Sequence, residues 1–160
     1  MQTMCLSSDK TVLEIGVGTG RLADRVAPRC AHLTGIDLSP KTVERARENL
    51  QRHGNVELIC DDFCTHVFQK TYDVVYSSLT MMHFRDKAQV LEKVASLLKT
   101  GGIFCLSIDK NQSPYIDMGT RKLEIYPDRV EQITDFMTAS RMTVEGVTET
   151  PMAYLIVGIK

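Results

Sequence analysis

The sequence has no block of lysine and arginine and no excess of either charge. Its 19 Lys and Arg face 20 Asp and Glu, for a net charge of −1 at pH 7. That excludes the electrostatic footprint of a nucleic-acid-binding chain or of a protein drawn to anionic membranes. No apolar run is long enough to span a bilayer, and Met1–Lys10 is polar, without a signal-peptide core. No C-x-x-C pair occurs among the five cysteines, Cys5, Cys30, Cys60, Cys64 and Cys105, and their number is odd. Cys60 and Cys64 stand at an i, i+4 spacing without zinc-finger partners, so no metal site is expected. The thiols read as reduced groups of a cytoplasmic protein, with a redox pair as the sharper alternative. No internal repeat or low-complexity tract is present. What remains is ordinary: 160 residues, 43% hydrophobic and 24% charged, enough for one domain (1–160) with its own core.

Within that frame, strand and helix patterns alternate nearly to the end. Strands are expected at Thr11–Ile15, Ala31–Ile36, Val56–Cys60, Tyr72–Tyr76 and Ile103–Ile108. Helices are expected at Gly20–Ala27, stopped by Pro28, at Lys41–His53, and at Lys87–Lys99, which aligns Val90, Leu91, Val94, Leu97 and Leu98 on one face. Ser39-Pro40 supplies an N-cap and a first-turn proline to the second helix, and Gly54 a stop. Asp61–Lys70 reads as loop or a short turn. Asp128–Ser140 is a further helix, and Thr143–Thr148 and Ala153–Ile159 are strands around Pro151. A short Pro-containing turn cannot join parallel neighbours. The expected fold is therefore α/β: a three-layer, Rossmann-like sandwich with a mostly parallel seven-stranded sheet and an antiparallel last strand.

The run Val12-Leu13-Glu14-Ile15-Gly16-Val17-Gly18-Thr19-Gly20 is the most specific signal in the chain. A strand enters three alternating glycines and a helix follows, a layout that lets backbone approach a nucleotide-like ligand and turn free N–H groups toward it. A plain tight turn needs fewer glycines. The spacing is not G-x-G-x-x-G, because Arg21 takes the third-glycine position, and no P-loop string occurs. Glu14 just ahead of the loop suits an amino-bearing ligand better than a pyrophosphate.

Parallel strands would bring Glu14 and the glycines, Asp37, Asp62-Phe63, Ser77-Ser78 and Asp109 to one rim. Asp37 ends the second strand, about 20 residues beyond the glycines, where a carboxylate can accept both ribose hydroxyls. Helix capping is its alternative role, but Ser39 already fills it. Asp62-Phe63 offers a carboxylate and a neighbouring N–H for a base edge, or forms a surface turn.

These motifs together resemble a class I, Rossmann-like S-adenosylmethionine-dependent methyltransferase of the small-molecule type. Val12–Gly20 matches the first motif, Thr34-Gly35-Ile36-Asp37-Leu38-Ser39-Pro40 the acidic end of the second strand, and Tyr72–Ser78 the fourth-strand motif. Cys60-Asp61-Asp62-Phe63 stands where Gly-Asp-Ala is common, and Leu97–Gly102 matches the turn into strand five with Thr100 in place of proline. The resemblance covers about residues 10–160. It implies that Gly16, Gly18, Gly20 and Glu14 hold the methionine moiety and that Asp37 binds the ribose. It implies further that Leu38 packs on adenine, that Asp62 and the Phe63 backbone read its edge, and that the Ser77 carbonyl faces the amino group. S-adenosyl-L-methionine would be the cofactor and S-adenosyl-L-homocysteine the product of in-line methyl transfer to a small-molecule acceptor.

That chemistry needs alignment first and a base only where the acceptor must lose a proton. His83 in Thr80-Met81-Met82-His83-Phe84 is the candidate base, with packing at a helix entry as its other reading. Met81-Met82 reads as core. Asp109, Tyr115, Asp117 and Tyr126 lie where the family places acceptor contacts, and each is equally a solvated or capping residue. Arg121-Lys122 could meet an anionic acceptor. Related enzymes often carry a helical lid before the first strand. Only Met1–Lys10 precede Thr11, so a lid that is missing, lent by a homodimer or another partner, or lost with the rest of a longer chain is expected. No Asn-Pro-Pro-Tyr motif for exocyclic nitrogens is present; Ser77-Ser78-Leu79-Thr80 takes its place. Two competing readings stay open: a non-catalytic cofactor- or partner-binding domain of this fold, and a nicotinamide-dependent oxidoreductase, which Arg21 opposes.

Overall fold

The computed structural model describes residues 2–160. Seven strands, β1 (Thr11–Ile15), β2 (His32–Asp37), β3 (Val56–Cys60), β4 (Tyr72–Ser78), β5 (Leu98–Asp109), β8 (Thr143–Glu149) and β9 (Ala153–Ile159), form one sheet. Its order is β3-β2-β1-β4-β5-β9-β8. β1 to β5 run parallel, and β9 pairs antiparallel with both β5 and β8. The chain winds from β1 out to β3, then restarts at β4 on the other side of β1. The crevice at such a reversal is where open α/β sheets take ligands.

Central strands buried on both faces read as continuous apolar runs. Val12, Leu33, Val74 and Tyr76 pack against α1 (Ala23–Val26) and α2 (Pro40–Leu50). Leu13, Ile15, Val75 and Leu106 pack on the opposite face, against α3 (Lys87–Leu97) and α4 (Val130–Ala139). The result is the expected three-layer sandwich. The edge strand β8 is mostly exposed, and its register slips between Val144 and Gly146. A bulge and acidic side chains blunt such an edge against stray pairing.

Several boundaries differ from the expectation for local reasons. Gly20 has φ +85°, which no α-helix accepts, so α1 begins only at Ala23, and Pro28 sits inside a following 3-10 turn, Ala27–Arg29. α2 is capped by the Ser39 hydroxyl at Thr42 N (3.3 Å) but ends at Leu50. Arg52 and His53 leave the helix to hold the Asp24 carboxylate at 2.6 and 2.8 Å. α3 stops at Leu97 because Leu98 already pairs with Tyr72. The segment Lys110–Pro127, rich in Asn, Ser, Pro, Gly and Asp, contains a small hairpin of β6 (Tyr115–Asp117) and β7 (Lys122–Glu124). Three-residue strands are too short to leave a periodic signal. Met81 and Met82 are buried, and all five cysteines are free thiols. No helix among the described residues is long and apolar enough to cross a membrane.

Candidate functional site

The three glycines of the β1–α1 loop do three different things. Gly16, at φ +75°, lies so close to Thr80 that an added Cβ would sit 2.3 Å from its Oγ1. Gly20 packs as tightly on Leu50 of α2. Gly18, at φ +55°, faces open space. Four of the loop's N–H groups are already engaged, contrary to the expectation. Gly16 and Val17 donate to Ile36 O, Gly18 to Asp37 Oδ2 at 2.9 Å, and Gly20 to Val17 O. A loop that spends its donors internally is a poor phosphate cradle, which agrees with the absent dinucleotide spacing.

Gly16 and Gly18 open into a cavity of about 610 Å³ at the sheet reversal. Ile15, Ile36, Asp37, Leu38, Asp61, Asp62, Phe63 and His83 contribute to its wall. Asp37 Oδ1 accepts from Ser39 N at 3.0 Å, so each of its oxygens keeps one lone-pair direction for a ligand. Leu38 is 69% exposed beside it, an apolar face with nothing on top. Across the cavity, Asp62 Oδ1 accepts from Cys64 N at 2.8 Å and Oδ2 has no donor. The Asp62 N–H goes to Asp61 Oδ1, and those of Thr65 and His66 go to Asp62 O. Phe63 N–H alone in this run has no acceptor among the described residues. A free carboxylate oxygen and a free N–H one residue apart form the acceptor–donor pair that an aminopurine edge requires.

Other expected residues lie off the cavity wall. Glu14 is buried between β1 and β4, and its Oε2 accepts from the Tyr76 hydroxyl at 2.6 Å. Burial, with a push from the Asp37 charge, raises the Glu14 carboxyl to about 8 against that hydrogen bond, so it is mostly protonated near neutrality. Ser77 is buried, with its hydroxyl donated to Ile15 O. Asp109 holds Asn111 N at 2.8 Å at the end of β5. Tyr115 lies on the hairpin under the Lys122 ammonium, 4.3 Å from its ring centroid. Tyr126 is tied by its N–H to Met82 O and faces a separate groove with Arg85 and Phe136.

Three features left no sign in the sequence. Thr80 closes over Gly16. Leu79 beside it has φ +53° although exposed and branched, a strained conformation at the cavity's edge. Lys87 is buried at the head of α3. Its ammonium donates to Met81 O, Phe84 O and Tyr126 O and stands 2.7 Å from Asp128 Oδ1. Its N–H groups are shared between three carbonyls and this ion pair, and the Asp128 carboxylate has no other partner among the described residues. Burial pushes the Asp128 carboxyl up, against the pull of Lys87.

Comparison with known proteins agrees with this geometry. Residues 12–102 match the family model described as a methyltransferase domain. A ubiquinone biosynthesis O-methyltransferase of Nitrosomonas europaea is 34% identical over 113 residues, 68% of this chain and 48% of that protein. A malonyl-[acyl-carrier protein] O-methyltransferase of Acetivibrio thermocellus is 33% identical over 98 residues, 60% of this chain and 34% of that protein. The chain spans about half the length of the ubiquinone-biosynthesis relatives it matches. An S-adenosylmethionine-dependent methyltransferase of Mesorhizobium loti superposes with a TM-score of 0.87 at 18% identity, covering 99% of this chain and 94% of that one. With the family motif spanning the glycine loop, Asp37, Asp62 and the turn into β5, this chain belongs to the methyltransferase-domain family, in its Rossmann-like class.

Proposed function

We propose that the cavity binds S-adenosyl-L-methionine and that the domain transfers its methyl group to a small-molecule acceptor, releasing S-adenosyl-L-homocysteine. The observation that carries this reading is the pairing of free groups on opposite walls. Asp37 offers open carboxylate directions for ribose hydroxyls, and Asp62 Oδ2 with Phe63 N–H offers the complement of adenine's edge. Leu38 supplies an apolar face for the base. Gly18 leaves room for the chain beyond the ribose. The Ser77 carbonyl, at the end of β4, is assigned to the amino-acid end; Glu14, whose carboxyl is turned to Tyr76, is assigned to holding β1 against β4 beneath it.

When bound, the cofactor supplies a methyl group already activated on a sulfonium. The protein's contribution is then to align the acceptor and exclude water. Named relatives are O-methyltransferases, which supports an oxygen acceptor. A hydroxyl acceptor gives up its proton, and we assign His83, on the cavity wall beside Thr80 and Phe84, to take it. Asp109, Tyr115 and Tyr126 are assigned to the acceptor side. The even charge balance and the free thiols support a cytoplasmic enzyme that does not act on nucleic acid. A second copy or another partner would serve to cover the cavity.

Isothermal titration with S-adenosylmethionine, S-adenosylhomocysteine and NADH tests this reading. Binding of the first two and not the third is expected. Asp37→Ala is expected to weaken binding by about 1–3 kcal/mol through loss of charge-assisted hydrogen bonds. NADH binding, or an Asp37→Ala titration that matches wild type, overturns the assignment.

A further inference from the structure

The wall that carries Asp62 and Phe63 has no secondary structure of its own. Asp61–Lys70 runs from the end of β3 to the start of β4 as turns and extended chain. A loop of this kind is mobile unless something fixes it, yet base-edge recognition needs donor and acceptor placed within a fraction of an ångström. Part of the fixing is local: Asp61 staples Asp62 N through Oδ1 and His66 Nδ1 through Oδ2, both at 2.8 Å. The remainder comes from a residue distant in sequence. Lys93, on α3, sends its ammonium into the concave side of the loop. It donates to Cys64 O at 2.9 Å and His66 O at 2.7 Å, the carbonyls flanking Thr65. It also lies over two aromatic faces, 5.2 Å from the Phe63 ring centroid and 5.7 Å from that of Phe68. Phe63 in turn is 4% exposed and packs against Phe68 and Phe84.

We propose that Lys93 is the positioning residue of this wall, and that its ammonium, held by two carbonyls and two rings, sets the Phe63 N–H and the Asp62 carboxylate where an adenine edge meets both. The inference rests on the cofactor reading given above and names a residue that does not touch the ligand. A cation is suited to the task because it engages carbonyl oxygens and ring faces at once, which no neutral side chain of that reach can do. It anchors the segment that follows the free N–H, through the Phe63 ring and through Cys64 O, while Asp61 holds the residue before it. Among the described residues Lys93 has no carboxylate in hydrogen-bond contact, and both hydrogen bonds it makes go to the loop.

The test is titration of wild type, Lys93→Met and Lys93→Arg with S-adenosylhomocysteine and with 5′-methylthioadenosine, which keeps the nucleoside and lacks the amino-acid end. Lys110→Met is the control, since it removes an ammonium–ring contact with Tyr154 on β9 instead. Lys93→Met is expected to weaken both ligands by about tenfold or more, and Lys93→Arg to recover most of that. Amide exchange at residues 63–66 is expected to speed up in Lys93→Met and not in the control. If Lys93→Met binds both ligands within about twofold of wild type, or weakens the homocysteine compound alone, the inference is wrong and the cofactor reading stands. If wild type binds neither ligand, the cofactor reading falls and this inference falls with it. If Lys93→Met melts early, Lys93→Arg decides: an arginine variant that is fully stable but as weak a binder as the methionine variant overturns the role.

Discussion

Lys87 and Lys93 belong to the same helix and do the same kind of work in opposite electrostatic settings. Each ammonium ties backbone carbonyls of irregular segments that border the cavity. Lys93 is half-buried and manages without an anion. Lys87 is 6% exposed and stands beside Asp128, itself 3% exposed. Glu14 is a third case: a buried ionisable group whose one close partner, Tyr76, is neutral. The contrast shows how a protein handles charge as water is withdrawn. Where solvent still reaches, a cation needs only dipoles. Where it does not, the cation needs a counter-charge. Where no counter-charge is present, the group keeps its proton.

The comparison is broken most severely at Lys87. Lys87→Met strands the Asp128 carboxyl and frees three carbonyls, and is expected to cost about 3–5 kcal/mol of stability in denaturant unfolding. Lys87→Met combined with Asp128→Leu is expected to recover a large part, because the uncompensated charge is gone. If the double variant is no more stable than the single one, the charge argument fails and the lost carbonyl contacts account for the whole effect.

Glu14 sharpens the comparison through pH. Its folded carboxyl titrates near 8, above the ordinary 4.5, so the unfolded chain gives up the proton first as pH rises. The Glu14 contribution is fully present below pH 4.5 and is lost as pH climbs through 8. Between pH 5 and 7 this group alone lowers stability by about 2–3 kcal/mol. Glu14→Gln is expected to remove that slope, read as the difference between the two proteins' unfolding free energies at pH 5 and pH 7. Parallel curves for the two would mean that Glu14 is ionised in the fold.

The smallest expected effect lies between the two anchored walls, at Leu79. Its φ of +53° is unfavourable for a branched side chain, and the residue is 42% exposed. Leu79→Gly is expected to stabilise the domain by about 1 kcal/mol or less, since relief of the left-handed conformation is partly offset by the entropy of glycine in the unfolded chain. A loss of stability on thermal melting would mean that the leucine side chain is packed to advantage and the strain is minor.

Much of the architecture was legible because it follows from periodicity and short-range chemistry. The strands β1 and β3 were read to the residue, since each is a short, mostly apolar run with a single glutamate, bounded by turn residues. The antiparallel last strand followed from the shortness of its connection. Less legible were the helix ends, where Arg52 and His53 abandon α2 for Asp24, and the β6–β7 hairpin, whose strands are too short to show a pattern. The placement of Asp37 and of Asp62-Phe63 around one cavity was readable because one ends β2 and the other follows the end of β3, and parallel strands bring those ends to one rim. The burial of Glu14 was not, because a glutamate before a glycine loop looks the same in sequence whether it faces a ligand or a tyrosine.

The sequence by itself determined the order of elements, the glycine loop and the rim of acidic strand ends, because these depend on residue type and on spacing along the chain. The tertiary structure alone decided which groups remain free to act. It spent the loop's N–H groups on Ile36 and Asp37, left Phe63 N–H without an acceptor, closed Thr80 over Gly16, and brought Lys93 to a loop far from it in sequence. The reason is physical. A hydrogen bond or a cation–ring contact depends on distances of a few ångströms between residues that may be separated by any length of chain, and only packing sets those distances.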